Sequence, residues 1–183
     1  MITTLHGTDI TLVGSHPNYK KAVTFSINES DGVTAVSESL KRDTLRLFNI
    51  DREIDVIPNF ISLKKHTEPK ECKRSVMARP DERIITHISN FRKVKRVEDV
   101  VRVFAKIQEK IPAKLIMVGD GPDREIADQL CKNLGIKKRV LFLGNTSDIE
   151  QILCFSDLFL LPSISESFGL SALEAMVAGV PVV

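Results

Sequence analysis

The chain has 183 residues, of which 43% are hydrophobic and 27% charged, with a formal net charge of +2. This balance supports a buried core and excludes global disorder. A charge so close to neutral gives no basis for a nucleic-acid or membrane partner.

Cys72, Cys131 and Cys154 form an odd set without C-x-x-C spacing. That pattern predicts neither a disulfide framework nor a zinc site, and it points to the reducing cytosol. No apolar run reaches transmembrane length, and the first residues lack the basic region and apolar core of a signal peptide. The expectation is a soluble, cytoplasmic protein.

In chain order, short apolar runs occur at residues 2–5, 32–36, 54–57, 84–88, 114–118, 140–143, 158–161 and 180–183. Each is β-branched or Leu-rich and hydrophobic on both faces, as strands of a covered parallel sheet are. Between them lie helical patterns. From Val97 the positions Val97, Val100, Val101, Phe104, Ile107 and Ile111 follow helical spacing, with Glu98, Arg102, Lys106 and Glu109 on the other face. A second helix is predicted from Pro122 to about Gly135, with Ile126, Leu130 and Leu134 as its buried stripe. Strands alternating with such helices predict an α/β fold with a Rossmann-like, doubly wound parallel sheet.

Residues 62–74 break the alternation: Lys64, Lys65, Lys70, Lys73 and Arg74 surround Pro69, which reads as an exposed linker. A boundary near Pro58–Ser62 divides the chain into residues 1–60, a remnant of one α/β domain, and residues 61–183, with five strand candidates. The chain stops inside its last apolar run, which predicts a piece of a longer protein, cut at both ends.

Four constellations could carry chemistry. Residues 166–174, Glu-Ser-Phe-Gly-Leu-Ser-Ala-Leu-Glu, follow a strand and open a helix near Phe168. Amides at such a start bind anions, Gly169 admits a ligand to the backbone, and Glu166 and Glu174 suit sugar hydroxyls. The competing reading makes Ser171 and Glu174 a capping box and Glu166 a solvated loop acid. Next, residues 89–96 place Arg92, Lys93, Lys95 and Arg96 after a strand, where open sheets bind ligands and a departing diphosphate needs positive charge. Otherwise they are a solvated basic helix start. Third, Gly119-Asp120-Gly121-Pro122 lines a strand-to-helix turn; Arg124 at the third glycine position argues against a nicotinamide site. Last, His6 ends the first strand beside Gly7, where it could reach a ligand or be structural. His16, His66 and His87 show no metal-ligand spacing, so no metal and no cofactor are expected.

Together these motifs resemble the retaining GT-B glycosyltransferases of family 4, over nearly the whole chain. The resemblance implies the tail of an N-terminal acceptor-side domain followed by most of a nucleotide-sugar-binding domain. It implies that Lys95 contacts the donor diphosphate, with Asn90, Arg92, Gly119 and Gly121 around the donor. Glu166 and the amides of Phe168, Gly169 and Leu170 would hold sugar hydroxyls and phosphate, Glu174 the ribose, and His6 the transferred sugar. Many family members carry an Arg where Asn90 stands; here Asn90 can only hydrogen-bond, which puts the second cation in doubt and makes Arg92 a substitute.

Residues 3–11 and 89–92 are most similar to the branch that moves N-acetylglucosamine from UDP-N-acetylglucosamine to L-malate in bacillithiol biosynthesis. The implied substrates are therefore small molecules, and the implied chemistry is retention without a metal. The acceptor, and a homo-oligomer of the complete enzyme, stay open, as do a different acceptor and a non-catalytic nucleotide-binding module.

Overall fold

A computed structural model describes residues 1–14, 16–62 and 72–183. Most of the predicted basic linker, with Lys64, Lys65, Pro69 and Lys70, and also His66, lies outside the described residues. The chain divides into two compact units, Met1–Phe60 with Glu166–Gly169, and Ile61–Ser165 with Leu170–Val183.

In the first unit, β1 (Ile2–Leu5), β2 (Gly32–Ala35) and β3 (Ile54–Val56) form a parallel sheet in the order β1-β2-β3. Parallel neighbours need crossovers, and α1 (Pro17–Asn28) and α2 (Glu38–Leu47) supply them. Helix α2 starts where Ser37 Oγ accepts from the Leu40 amide at 3.2 Å, an N-cap. Leu5, Ile10, Ile27, Val33, Leu40 and Ile54 make the core.

Among the described residues, the second unit has the single turn α3 (Arg74–Met77) as its first element. It continues through β4 (Arg83–Ile88), α4 (Val97–Gln108), β5 (Ala113–Val118), α5 (Arg124–Asn133) and β6 (Val140–Gly144). It ends with α6 (Ile149–Cys154), β7 (Leu158–Phe159) and α7 (Leu170–Val177). The four strands are parallel in the order β6-β5-β4-β7. Val182 adds a parallel bridge to Phe159, so the last apolar run does meet the sheet, beside β7. Alternate residues pack on opposite faces, which makes the sheet doubly wound. Ile85, Leu115 and Met117 meet α4 and α5, whereas Ile84, Ile116 and Val118 meet Ile152 and Phe155.

Helix α4 buries Val97, Val100, Val101 and Phe104 as its spacing predicts, although Ile111, beyond its end, is exposed. Helix α5 departs from expectation. It begins at Arg124, and the stripe turns by one position: Ala127 and Cys131 are buried with Leu130 beside them, while Ile126 and Leu134 are exposed. A small Ala and a thiol fill the space beside the sheet that larger side chains were predicted to fill. Burial pushes the Cys131 thiol up to about 11.

Two further expectations are overturned. Cys72 and Cys154 form a disulfide, with Cα atoms 6.0 Å apart across 82 residues of sequence. Spacing could not reveal it, because only the packing of α3 against the end of α6 brings the two together. Arg74, read as part of an exposed linker, anchors the same junction. Its guanidinium donates to the carbonyls of Phe155 and Glu82 and to Asp157 Oδ2 at 2.8 Å. Burial pushes Asp157 up, but the Ile84 amide, Arg74 and Arg83 outweigh it and hold the carboxyl below its ordinary 3.8. Cross-linking a loop of this length constrains the unfolded chain. Replacing Cys72 and Cys154 with Ser is expected to lower the stability of the second unit by about 2–4 kcal/mol in urea unfolding. An unfolding midpoint unmoved by the substitutions would contradict the cross-link.

Candidate functional site

In the second unit the chain runs from β4 to β5 to β6 on one side, then returns to place β7 on the other side of β4. Loops leaving the carboxyl ends of β4 and β7 therefore diverge, and ligands of open parallel sheets settle in the crevice this creates. Three loops meet there.

The loop after β4 carries Asn90, Arg92 and Lys95. Phe91 anchors it, fully buried, with its ring 6.3 Å from that of Phe142. Phe91 exchanges backbone bonds with the loop after β5: its amide donates to the Asp120 carbonyl at 2.9 Å, and its carbonyl accepts from Asp123 at 3.0 Å. Gly119 has φ +116, and a Cβ there would stand 1.9 Å from the Ser89 carbonyl oxygen. Only glycine permits that approach. Asn90 and Arg92 are exposed, whereas Lys95 is half-buried in a 3-10 turn, Lys93–Lys95, closed by its amide donating to the Arg92 carbonyl at 2.8 Å. Arg96, at φ 51, turns the chain into α4 and pairs with Asp99. The basic cluster is thus a turn with a helix behind it, and the first acids of α4, Glu98 and Asp99, complement the helix dipole.

The loop after β7 crosses to this turn. The Ile164 amide donates to the Val94 carbonyl at 2.8 Å, which seats the residues leading to Glu166 beside the residue preceding Lys95. Among the described residues, Ser163 Oγ is buried without a hydrogen-bond partner. Helix α7 starts at Leu170, not near Phe168, because Gly169 takes a left-handed φ of 82. Ser171 then lies inside the first turn instead of at a cap, so the capping-box reading of Ser171 and Glu174 does not hold. Glu174 is half-buried on α7.

In the first unit the His6 loop follows β1. Asp9 ties it down by accepting from the His6 and Gly7 amides, at 3.3 and 2.6 Å. Residues Glu166–Gly169 belong to this unit: Phe168 packs against its core, and a Cβ on Gly7 would stand 1.7 Å from Ser167 Oγ. Glu166 is half-buried and His6 exposed. The structure thus gathers Asn90, Arg92, Lys95, Gly119 and Gly121 in one unit's loops. It gathers His6 with Glu166, Phe168 and Gly169 in the other.

Sequence reasoning passed over Asp9 and Ser163 and weighed His87 for metal-ligand spacing alone. His87 interrupts an apolar strand with a polar ring, and that was the available signal: a polar group in a strand covered on both faces needs partners. A groove of about 430 Å³ lined by Arg83, Ile85, Ile107, Ile111, Asp157 and Leu158 lies at the amino ends of β4 and β7, away from all three loops. Among the described residues no helix is long and apolar enough to cross a membrane.

A doubly wound parallel sheet with three loops at its switch point defines an α/β protein of the Rossmann-like class. Residues 70–183 match the family model of the glycosyl transferases group 1, and residues 1–65 match that of glycosyltransferase family 4. The chain belongs to the group 1 glycosyl transferases.

It is 49% identical over 183 residues to N-acetyl-alpha-D-glucosaminyl L-malate synthase of Bacillus anthracis, covering 99% of this chain and 48% of that protein. An uncharacterized glycosyltransferase of Methanocaldococcus jannaschii is 33% identical over 196 residues, covering 100% of this chain and 50% of that one. The chain spans about half the length of these curated relatives. Among solved structures, the Anabaena protein HepE in complex with UDP and glucose superposes with a TM-score of 0.84. It is 24% identical, covering 99% of this chain and 51% of that one, and it shows the shared GT-B fold.

Proposed function

We propose that this chain carries the donor-binding portion of a retaining glycosyltransferase that moves N-acetylglucosamine from UDP-N-acetylglucosamine to L-malate, in bacillithiol biosynthesis. The observation that carries this reading is the meeting of the loops after β4, β5 and β7 at the switch point, locked by the Ile164–Val94 bond. The choice of sugar and acceptor rests on the similarity to the Bacillus anthracis enzyme. Work in the cytoplasm is part of this proposal and rests on the supply of UDP-sugars there, not on the cysteine pattern, which the Cys72–Cys154 link overturns.

In this reading Lys95 faces the diphosphate, with Asn90 and Arg92 as further donors and the glycine turn at Gly119 and Gly121 lining the donor. Amides at the start of α7 receive phosphate. Glu166 accepts from sugar hydroxyls, Glu174 from the ribose, and His6 serves the transferred sugar. The malate hydroxyl attacks the anomeric carbon on the face that UDP leaves; the new C–O bond forms as the old one breaks, and a phosphate oxygen of the departing UDP takes the proton. No side chain acts as nucleophile, and no step calls for a metal.

The chain is expected to bind UDP weakly and to turn over nothing unaided. Calorimetric titration of a folded sample checks this: heat that saturates by millimolar UDP supports the donor site, and a folded sample giving no heat at millimolar UDP removes it.

A further inference from the structure

Beneath the three loops lies a side chain to which the mechanism assigns nothing. His87, near the carboxyl end of β4, is fully buried. Its Nδ1 is 2.8 Å from the Leu160 carbonyl oxygen, and its Nε2 is 2.7 Å from Ser89 Oγ. A carbonyl can only accept, so Nδ1 carries the proton and donates to Leu160, while Nε2 and the Ser89 hydroxyl share the second hydrogen bond. The ring also stacks on Phe91, with centroids 6.1 Å apart. One side chain therefore touches the start of the Lys95 loop through Ser89 and the start of the Glu166 loop through Leu160. Through Phe91 it reaches the residue that carries the glycine turn.

An isoleucine would pack in a covered strand at no polar cost, whereas a buried imidazole is tolerable only when its nitrogens are satisfied. Here both partners belong to the loops of the site, and a satisfied buried network fixes one geometry among its members.

We propose that His87 is a positioning residue for donor binding: through Ser89 and Leu160 it holds the loops after β4 and β7 in one register across the switch point. The inference rests on the donor-binding reading above, and the test separates the two. UDP affinity of the chain is measured by calorimetry alongside thermal unfolding. Absence of UDP binding by the unsubstituted chain defeats the donor site itself.

Given binding, Ser89→Ala removes only the hydroxyl and is expected to weaken UDP about tenfold without a matching fall in unfolding temperature. His87→Asn, which keeps a donor toward Leu160 but loses the partner of Ser89, should do the same. The double variant should lose little beyond either single change, because both break one link. Ser89→Thr, which restores the hydroxyl, should return the affinity to within about threefold. The proposal is overturned if Ser89→Ala binds UDP within about twofold of the unsubstituted chain, or if the two losses multiply to about a hundredfold. Should His87→Asn fail to fold, the Ser89→Ala and Ser89→Thr pair decides alone.

Discussion

Lys95→Ala in the complete enzyme is expected to lower turnover by about three orders of magnitude while leaving the protein folded. In the proposed function the Lys95 ammonium group faces the departing diphosphate. Departure of UDP builds negative charge on the diphosphate, and a cation held in place gains most as that charge appears. A unit charge about 4 Å from a phosphate oxygen is worth up to about 4 kcal/mol at an effective dielectric near 20, or roughly a thousandfold in rate.

The neighbouring cations are held differently. Arg96 is committed to Asp99 and to the left-handed turn into α4, and Arg92 is exposed. Lys95 sits half-buried in a turn braced by the Arg92 carbonyl and, one residue earlier, by Ile164. Its backbone bonds do not depend on its side chain, so the alanine variant keeps the turn. Steady-state rates of the complete enzyme check the expectation, and near-normal turnover would remove Lys95 from the mechanism.

The second large effect is expected from Gly119→Ala. A methyl group there meets the Ser89 carbonyl oxygen at 1.9 Å on a backbone already at φ +116. Relief by movement is blocked on both sides. The Ser89 amide is bonded to the Val118 carbonyl at 3.1 Å, and the Gly119 amide to the Gly144 carbonyl at 2.8 Å. Left-handed strain and overpacking each contribute about 1–3 kcal/mol, so a loss of at least about 2–3 kcal/mol in urea unfolding is expected. UDP binding should fall below detection, since the displaced segment includes Ser89 and the root of the Lys95 loop. A variant within about 0.5 kcal/mol of the unsubstituted chain, binding UDP normally, would show that this close approach is not required.

Much of this was legible in the sequence, for physical reasons that differ by element. The strands announce themselves as short apolar runs, and α4 as a helix with one apolar stripe, because burial on both faces or on one imposes those periods. The glycine turn after β5 and the 166–174 segment are legible because backbone approach and helix starts demand particular residues. What escaped is tertiary. The Cys72–Cys154 link joins residues 82 positions apart, and the triple bonding of Arg74 depends on α3 lying against α6. The phase of α5 failed because its Leu and Ile outweighed Ala127 and Cys131 in the pattern, although the small residues are the ones that fit against the sheet. At His87 the sequence offers only its lack of metal-ligand spacing, because its partners, Ser89 and Leu160, are brought to one ring only once β4 and β7 pair.

In the proposed function an activated-sugar donor occupies the carboxyl-end crevice between β4 and β7, and amide NMR of the chain titrated with UDP locates it. Shifts are expected at residues 89–96, 119–123 and 162–170. Shifts confined to the amino-end groove around Ile85, Ile107 and Leu158, with those three segments unmoved, would contradict it.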